Sequence, residues 1–228
     1  MRGLAGKAFV AIWHDIAPEG KAEFSAWHTR EHMPERLEVS GFLRGRRYVA
    51  ARGAPEYFNL YEVESPEVLT SAEYLARLNN PTPWSRQALA HFRHVSRSLC
   101  QVGGSLGRGQ GGVILTTAFE ATPGGDAELA RFLAEDALPA VFDRPGVVAA
   151  HFGVADRSGS QIVTAERQAR GTLTLVPGWV VLVEGLSLAA VEQAADDLAG
   201  MTQHGAHGAL AQAAYRLECS LARLDRLG

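Results

Sequence analysis

The stretch FVAIWHDIAPEGKAEFSAW (9–27) lies over ILTTAFEATPGGDAELARF (114–132) at a constant shift of 105 residues. Pro18 then meets Pro123, Gly20 meets Gly125, Ala22 meets Ala127 and Glu23 meets Glu128. The register runs on without a gap through Pro34/Pro139 and Gly41/Gly146. Identity is low, but the matches fall at turns and helix starts, where backbone geometry restricts the choice of residue. An internal repeat decides a fold before any local propensity does. Beyond residue 157 the shift grows, which implies an insertion over roughly 157–177. The correspondence then resumes, with YFNLYEVESPEVL (57–69) over WVVLVEGLSLAAV (179–191).

Each copy reads strand, helix, strand, strand, helix, strand. In the first, FVAIWHDI is a short β-rich run, and the helix after it places Phe24, Trp27, His28 and Leu37 near one face. FLRGRRYVA and EYFNLYEVE, split by ARGAP, read as a hairpin. SPEVLTSAEYLARLNN opens a second helix, and VSRSLCQV closes the unit. This βαββαβ order is the ferredoxin-like unit, an antiparallel sheet with both helices on one face. The bare face would expose Phe9, Trp13, Phe42 and Tyr48, with Tyr57 and Tyr61 on the hairpin partner. Covering it with a second sheet buries several aromatic side chains at about 1.5–3 kcal/mol each. The expected architecture is therefore α+β. Two tandem units, 1–104 and 113–228, have sheets packed face to face as a pseudo-dimeric α/β barrel. The Gly-rich run GGSLGRGQGG (103–112) has no following Lys-Ser or Lys-Thr and fits no dinucleotide fingerprint, so residues 105–112 read as a linker.

Bulk properties exclude some function classes. The 228 residues carry 22 Lys plus Arg against 25 Asp plus Glu, a net charge of -3. That balance gives no argument for nucleic acid or an anionic membrane as partner, although local arginine clusters can still bind a small anion. No segment approaches a membrane span or a secretory apolar run. Cys100 and Cys219 lack CxxC spacing and read as reduced. A soluble cytoplasmic protein with a small-molecule ligand is expected, with pairing of pseudo-dimers left open.

The chemistry concentrates in WHTREHMPER (27–36). His28-Thr29-Arg30-Glu31-His32 satisfies H-x-x-E-H, an inverted zinc-protease pattern, but a third ligand is missing and no metal is expected. His28 aligns with Leu133, on or beside the buried stripe. His32 aligns with the small Ala137, so a titratable ring fills space that the other copy leaves free. Pro34 removes a backbone donor and clashes with the Arg30 carbonyl, which predicts a kink. In strand 2, alternation puts Phe42, Arg44, Arg46 and Tyr48 on one face and Leu43, Gly45, Arg47 and Val49 on the helix-packed face. Arg47 there replaces Phe152 and needs a carboxylate, with Glu31 the expected partner, or a ligand anion. By the same alignment His14 replaces Phe119.

FSAWHTREHMPERLEVSGFLRGRRYV (24–49) resembles the first helix of EthD-like proteins in the dimeric α/β-barrel superfamily, through Phe24, Trp27, His32, Pro34, Gly41 and Phe42. The resemblance implies the barrel already read from the repeat. That superfamily hosts monooxygenases, isomerases, cyclases and haem enzymes, so fold does not give function. No axial-ligand signal for haem is visible, and no cofactor is expected. The residues suggest a cofactor-independent acid/base enzyme acting on a small apolar or aromatic molecule. His32 is the proton carrier, His14 a second carrier, and Arg47 the anion or enolate stabiliser. Trp27, His28, Glu31, Tyr48 and Trp84 are the expected substrate contacts. A non-catalytic binder or sensor using the same pocket is the alternative. Within the insertion, Thr164, Glu166 and Arg170 are candidate polar contacts on an extra hairpin or covering loop.

Overall fold

The structure, a computed structural model, describes residues 3–223, apart from the side chains of residues 209 and 210. The first half runs β1 (Ala8–Ile16), α1 (Lys21–Trp27), α2 (Met33–Glu38), β2 (Phe42–Arg52), β3 (Tyr57–Val63), α3 (Ala72–Asn79), α4 (Pro83–Leu89) and β4 (Phe92–Gly107). The second runs β5 (Val113–Ala121), α5 (Asp126–Phe132), α6 (Leu138–Phe142), β6 (Val147–Ala155), α7 (Arg157–Gln161), α8 (Ala165–Arg170), β7 (Trp179–Gly185), α9 (Leu188–Asp197) and β8 (Ala206–Ala222).

The strands form one closed barrel in the order β1-β3-β2-β8-β5-β7-β6-β4. Within each half the order is the same, fourth-first-third-second. The sheets expected to stack face to face instead join edge to edge. β2 pairs with β8 from Arg44↔Ala222 to Arg52↔Ala214, and β4 pairs with β6 from Cys100↔Ala155 to Gly107↔Ala149. Joining satisfies the edge N–H and C=O groups that two open sheets would leave unpaired. β4 consequently extends to Gly107, so residues 105–107 of the expected linker are strand. Gly103 and Gly104 permit this, because the Phe152 ring lies over them and a Cβ at Gly103 would meet it at 2.1 Å.

The irregularities of the two halves coincide at the shift of 105. The five residues His28–His32 between α1 and α2 form a wide turn, in which the Met33 N–H donates to the His28 carbonyl. Leu133–Ala137 does the same between α5 and α6, with Leu138 donating to Leu133. Pro34 and Pro139 each follow directly, and the added residue in the turn moves the proline ring off the carbonyl four positions back. The helix therefore widens where a kink was expected, and α2 continues. Register shifts in the ladders fall between Phe42 and Arg44 and again between Val147 and Ala149.

The core has two kinds of region. Inside the barrel lie Phe9, Trp13, Tyr48, Phe58, Leu60 and Tyr215. Between sheet and helices of the first half lie Phe42, Tyr61, Tyr74 and Met33, with Phe24, Trp27, Tyr57 and Phe92 beside them. Phe42, Tyr57 and Tyr61 thus occupy the helix side rather than the face expected for them. For Phe42 the bulge after it reverses the alternation. For β3, Phe58 and Leu60 are the inward pair, which sends Tyr57, Asn59 and Tyr61 outward.

Barrel closure also encloses charge. Arg46, fully buried, donates to both oxygens of Glu184 at 2.9 Å and approaches Glu62 at 2.9 Å. Arg44 donates to Glu62 at 2.8 and 2.6 Å. Glu62 and Glu184 come from different halves, so Arg46 ties the two together.

Candidate functional site

The wide turn places both histidines on the buried face of the first helix, His28 at 1% and His32 at 8% exposure. An α-helical pair four apart would share a face, but here the extra residue also rotates Glu31 away from them. Glu31 accepts from Trp27 Nε1 at 3.2 Å, from Thr82 at 2.6 Å and from Ser85 at 3.1 Å. The H-x-x-E-H pattern therefore does not converge. Among the described residues no three His, Cys, Asp or Glu side chains cluster to hold a metal.

Arg47 does not pair with Glu31, as expected, but with Glu218 of β8 at 2.6 Å, and it also reaches the Ser25 carbonyl at 3.3 Å. The partner is supplied by barrel closure, which no single-copy reading contains. Arg47 Nη1 also sits 3.4 Å from His28 Nδ1, a long contact. A guanidinium only donates, so Nδ1 is the acceptor and the His28 proton resides on Nε2. That proton is donated to the Tyr61 hydroxyl at 3.0 Å. The Tyr61 O–H is left free to donate elsewhere. Burial holds the His28 pKa well below its ordinary value, with Arg47 adding to the effect, so His28 is neutral.

His14 is completely buried among Phe24, Tyr57 and Phe92, with ring centroids 5.2, 5.4 and 4.4 Å away. Its Nε2 accepts from Asn59 at 2.8 Å. Burial lowers its pKa to about 3. It packs against Phe24 and is not among the residues that line the cleft beside His32, where a second proton carrier was expected. Tyr48 faces the barrel interior, beneath Arg46 at 5.7 Å, and is also outside the cleft. Trp84 packs half-buried against the Phe24–Trp27 cluster. Trp27 touches the site through its ring, 4.4 Å from that of His32.

The cleft is tight: the centre of a water-sized sphere can move over only about 30 Å³ of it. Its first-half walls are Ile12, His32, Arg36, Tyr61, Tyr74, Leu78 and Arg97. The insertion closes it from the other half through Ser160, Thr164, Glu166 and Arg170, among others. The insertion is neither a hairpin nor a plain loop. Asp156 and Thr164 cap its two short helices α7 and α8. No hydrogen bond engages His32, and its Nδ1 is shut off from solvent, which leaves Nε2 as the nitrogen open to the cleft. Burial depresses the His32 pKa well below the ordinary value, and Arg36 and His28 depress it further. Arg36, 2% exposed, forms a tight ion pair with Glu166. Burial opposes its charge, but the carboxylate outweighs that and raises its pKa. Arg170 has its pKa lowered to about 10 by burial and by Arg97, and remains charged at neutral pH.

Sequence reasoning missed Arg36, Arg97, Tyr61 and Tyr74 as site residues. Arg36 was findable, since it stands four residues after His32 on one helical face. A haem group does not suit the cleft, whose walls are joined by the Arg36–Glu166 pair.

No family model matches the sequence, and no curated protein matches it. Solved structures do match. An anthrone oxidase-like protein superposes over 100% of this chain and 98% of its own, at 14% identity and a TM-score of 0.66. A protein of Fusobacterium nucleatum provisionally named a monooxygenase covers 96% of each chain at 8% identity, with a TM-score of 0.60. A protein provisionally named a chlorite dismutase covers 93% of this chain and 95% of its own at 10% identity, with a TM-score of 0.56. At such identities the likeness establishes the fold alone, a closed eight-stranded antiparallel barrel flanked by helices. No described helix is long and apolar enough to cross a membrane.

Proposed function

We propose that the chain is a tandem duplication of a ferredoxin-like unit, 1–104 and 113–228 about the segment 105–112, whose first copy is EthD-like and carries the working site. The coincidence of wide turns and ladder shifts at one constant spacing supports the duplication. Histidine, arginine and tyrosine in the first copy stand against leucine, phenylalanine and valine in the second, which supports a single site.

The reaction is reversible proton removal from a small apolar or aromatic carbon acid, such as a ring ketone, without a cofactor. The observation that carries it is the pairing of His32 and Tyr61 across one cleft, with ring centroids 6.3 Å apart. Both rings border the cleft, so a carbonyl and its adjacent carbon would lie against their open edges rather than between them. His32 Nε2 takes the proton from carbon, and the Tyr61 hydroxyl donates to the oxygen on which enolate charge develops. Alone in the cleft, His32 resists protonation because burial and Arg36 disfavour a cation. A developing enolate supplies the opposing charge, so imidazolium forms only as the reaction proceeds. Arg47 acts through His28, fixing the tautomer that orients Tyr61. The anthrone oxidase-like neighbour is named for chemistry on an aromatic ketone, which fits this substrate class.

Deuterium incorporation from D2O into a panel of phenyl and polycyclic ketones, followed by NMR, tests the reading. His32→Ala is expected to lose about 10²-fold or more of the exchange rate. Tyr61→Phe should lose a similar factor. Full exchange by a folded His32→Ala protein would remove this mechanism. The weak basicity of His32 favours one second reading, a non-catalytic binder using the same cleft. In that case no ketone exchanges and His32→Asn leaves binding intact.

A further inference from the structure

The cleft collects buried donors that the protein does not satisfy. Arg36 Nη1, Arg170 Nε and Thr174 Oγ1 are all shut off from solvent without a hydrogen-bond partner, and all three residues line the same space. They come from α2, from α8 and from the segment after it, so the convergence is not a local turn effect. Each is a donor, and buried donors are rarely left unpaired in a protein without a reason. Arg97 of β4 gives one nitrogen to the Tyr74 hydroxyl at 3.0 Å. Among the described residues no carboxylate lies within ion-pair distance of Arg97 or Arg170, and Glu166 is engaged by Arg36. Arg167 also lines the cleft and turns to the Gln161 carbonyl at 2.8 Å. Arg36 is answered by Glu166 at close range and by Glu35 at 3.7 Å, whereas Arg97 and Arg170 have no such carboxylate among the described residues.

We infer that the substrate carries a permanent carboxylate, received by Arg170 and Arg97 with further donors from Arg36 and Thr174. This deepens the acid/base reading and rests on it. The carboxylate answers the arginine charge, and the enolate is answered by the imidazolium that forms with it on His32. The substrate class is therefore a keto acid with an apolar or aromatic body. That body lies against Ile12, Leu78 and Tyr74, a lining that suits an organic acid better than an inorganic anion. The planar guanidinium matches a carboxylate in two parallel hydrogen bonds. Recognition is thus shared between the insertion of the second half, through Arg170 and Thr174, and the first half, through Arg97 and Arg36, while the first half supplies the chemistry.

Isothermal titration of the full chain with benzoate, benzamide and inorganic phosphate tests the assignment. Benzoate is expected to bind saturably, and benzamide, which has the same shape without the charge, at least tenfold more weakly. Arg170→Gln and, independently, Arg97→Gln should each weaken benzoate about tenfold or more, so one misfolded variant does not decide the matter. His32→Ala should bind benzoate within about threefold of the parent while losing ketone exchange. Equal binding of benzoate and benzamide, or benzoate affinity unchanged in both arginine variants, overturns the proposal. So does phosphate binding without benzoate binding, or no binding by any probe. Benzoate binding with full exchange by His32→Ala would instead sink the catalytic reading and leave the carboxylate site standing.

Discussion

Replacing His14 by phenylalanine puts a number on what the buried histidines cost. The ring is fully enclosed, and its counterpart one repeat later is Phe119, so an aromatic hydrocarbon has a precedent on that face. In the unfolded chain the imidazole titrates at its ordinary value, whereas in the folded protein burial lowers its pKa from 6.5 to about 3. Between those values the unfolded state binds a proton that the folded state refuses, so stability falls as pH drops below about 6.5. From pH 7 to pH 5 that loss is about 2 kcal/mol for His14 alone. A phenyl ring does not titrate and is spared it. At pH 7 the substitution strands the Asn59 amide, at a cost of about 1–3 kcal/mol, partly offset by the more apolar ring. Urea unfolding of both proteins at the two pH values should show the His14→Phe variant weaker at pH 7. The gap should narrow or reverse by about 2 kcal/mol at pH 5. His28, His32 and His151 also remain neutral when buried, but they contribute equally to both proteins and cancel. Stability curves that shift in parallel between the two pH values would refute the reasoning.

Two further substitutions probe the barrel. Arg46→Met leaves the Glu184 carboxylate buried without its partner and should cost about 3–5 kcal/mol in chemical denaturation. Adding Glu184→Leu should recover a large part of that, and no recovery would mean that Arg46 matters through packing. Gly153→Ala would place a Cβ 2.5 Å from Phe9 Cζ and 2.9 Å from the Cys100 Cβ. About 1–3 kcal/mol of overpacking strain should appear as a lowered melting temperature, relieved by Phe9→Leu.

Much of the architecture was legible because the chain repeats its turn residues. Pro18, Gly20, Pro34 and Gly41 recur at one spacing, and a shared register over the first two strands and first helix leaves few folds open. Face assignment was less secure. Strand alternation put Arg44, Arg46 and Tyr48 together correctly, but the ladder shift after Phe42 leaves no mark in composition. The Arg47 partner was misread because Glu218 is 171 positions away and meets it only through the β2–β8 seam. The insertion was readable in part. Thr164 before AERQAR and Gly171 after it form a cap, a run of good helix formers and a stop. What the sequence could not reveal is that this segment returns to the other half, where Glu166 meets Arg36.

That return has an evolutionary consequence. In a dimer of identical single units, any change that sharpens one pocket is imposed on the other as well. On the proposed duplication a fused chain escapes that symmetry, and the α7–α8 segment reaches the cleft bordered by His32 and Arg36. On the proposed reading, changes in residues 157–174 can alter what the cleft admits while His32 and Tyr61 stay as they are.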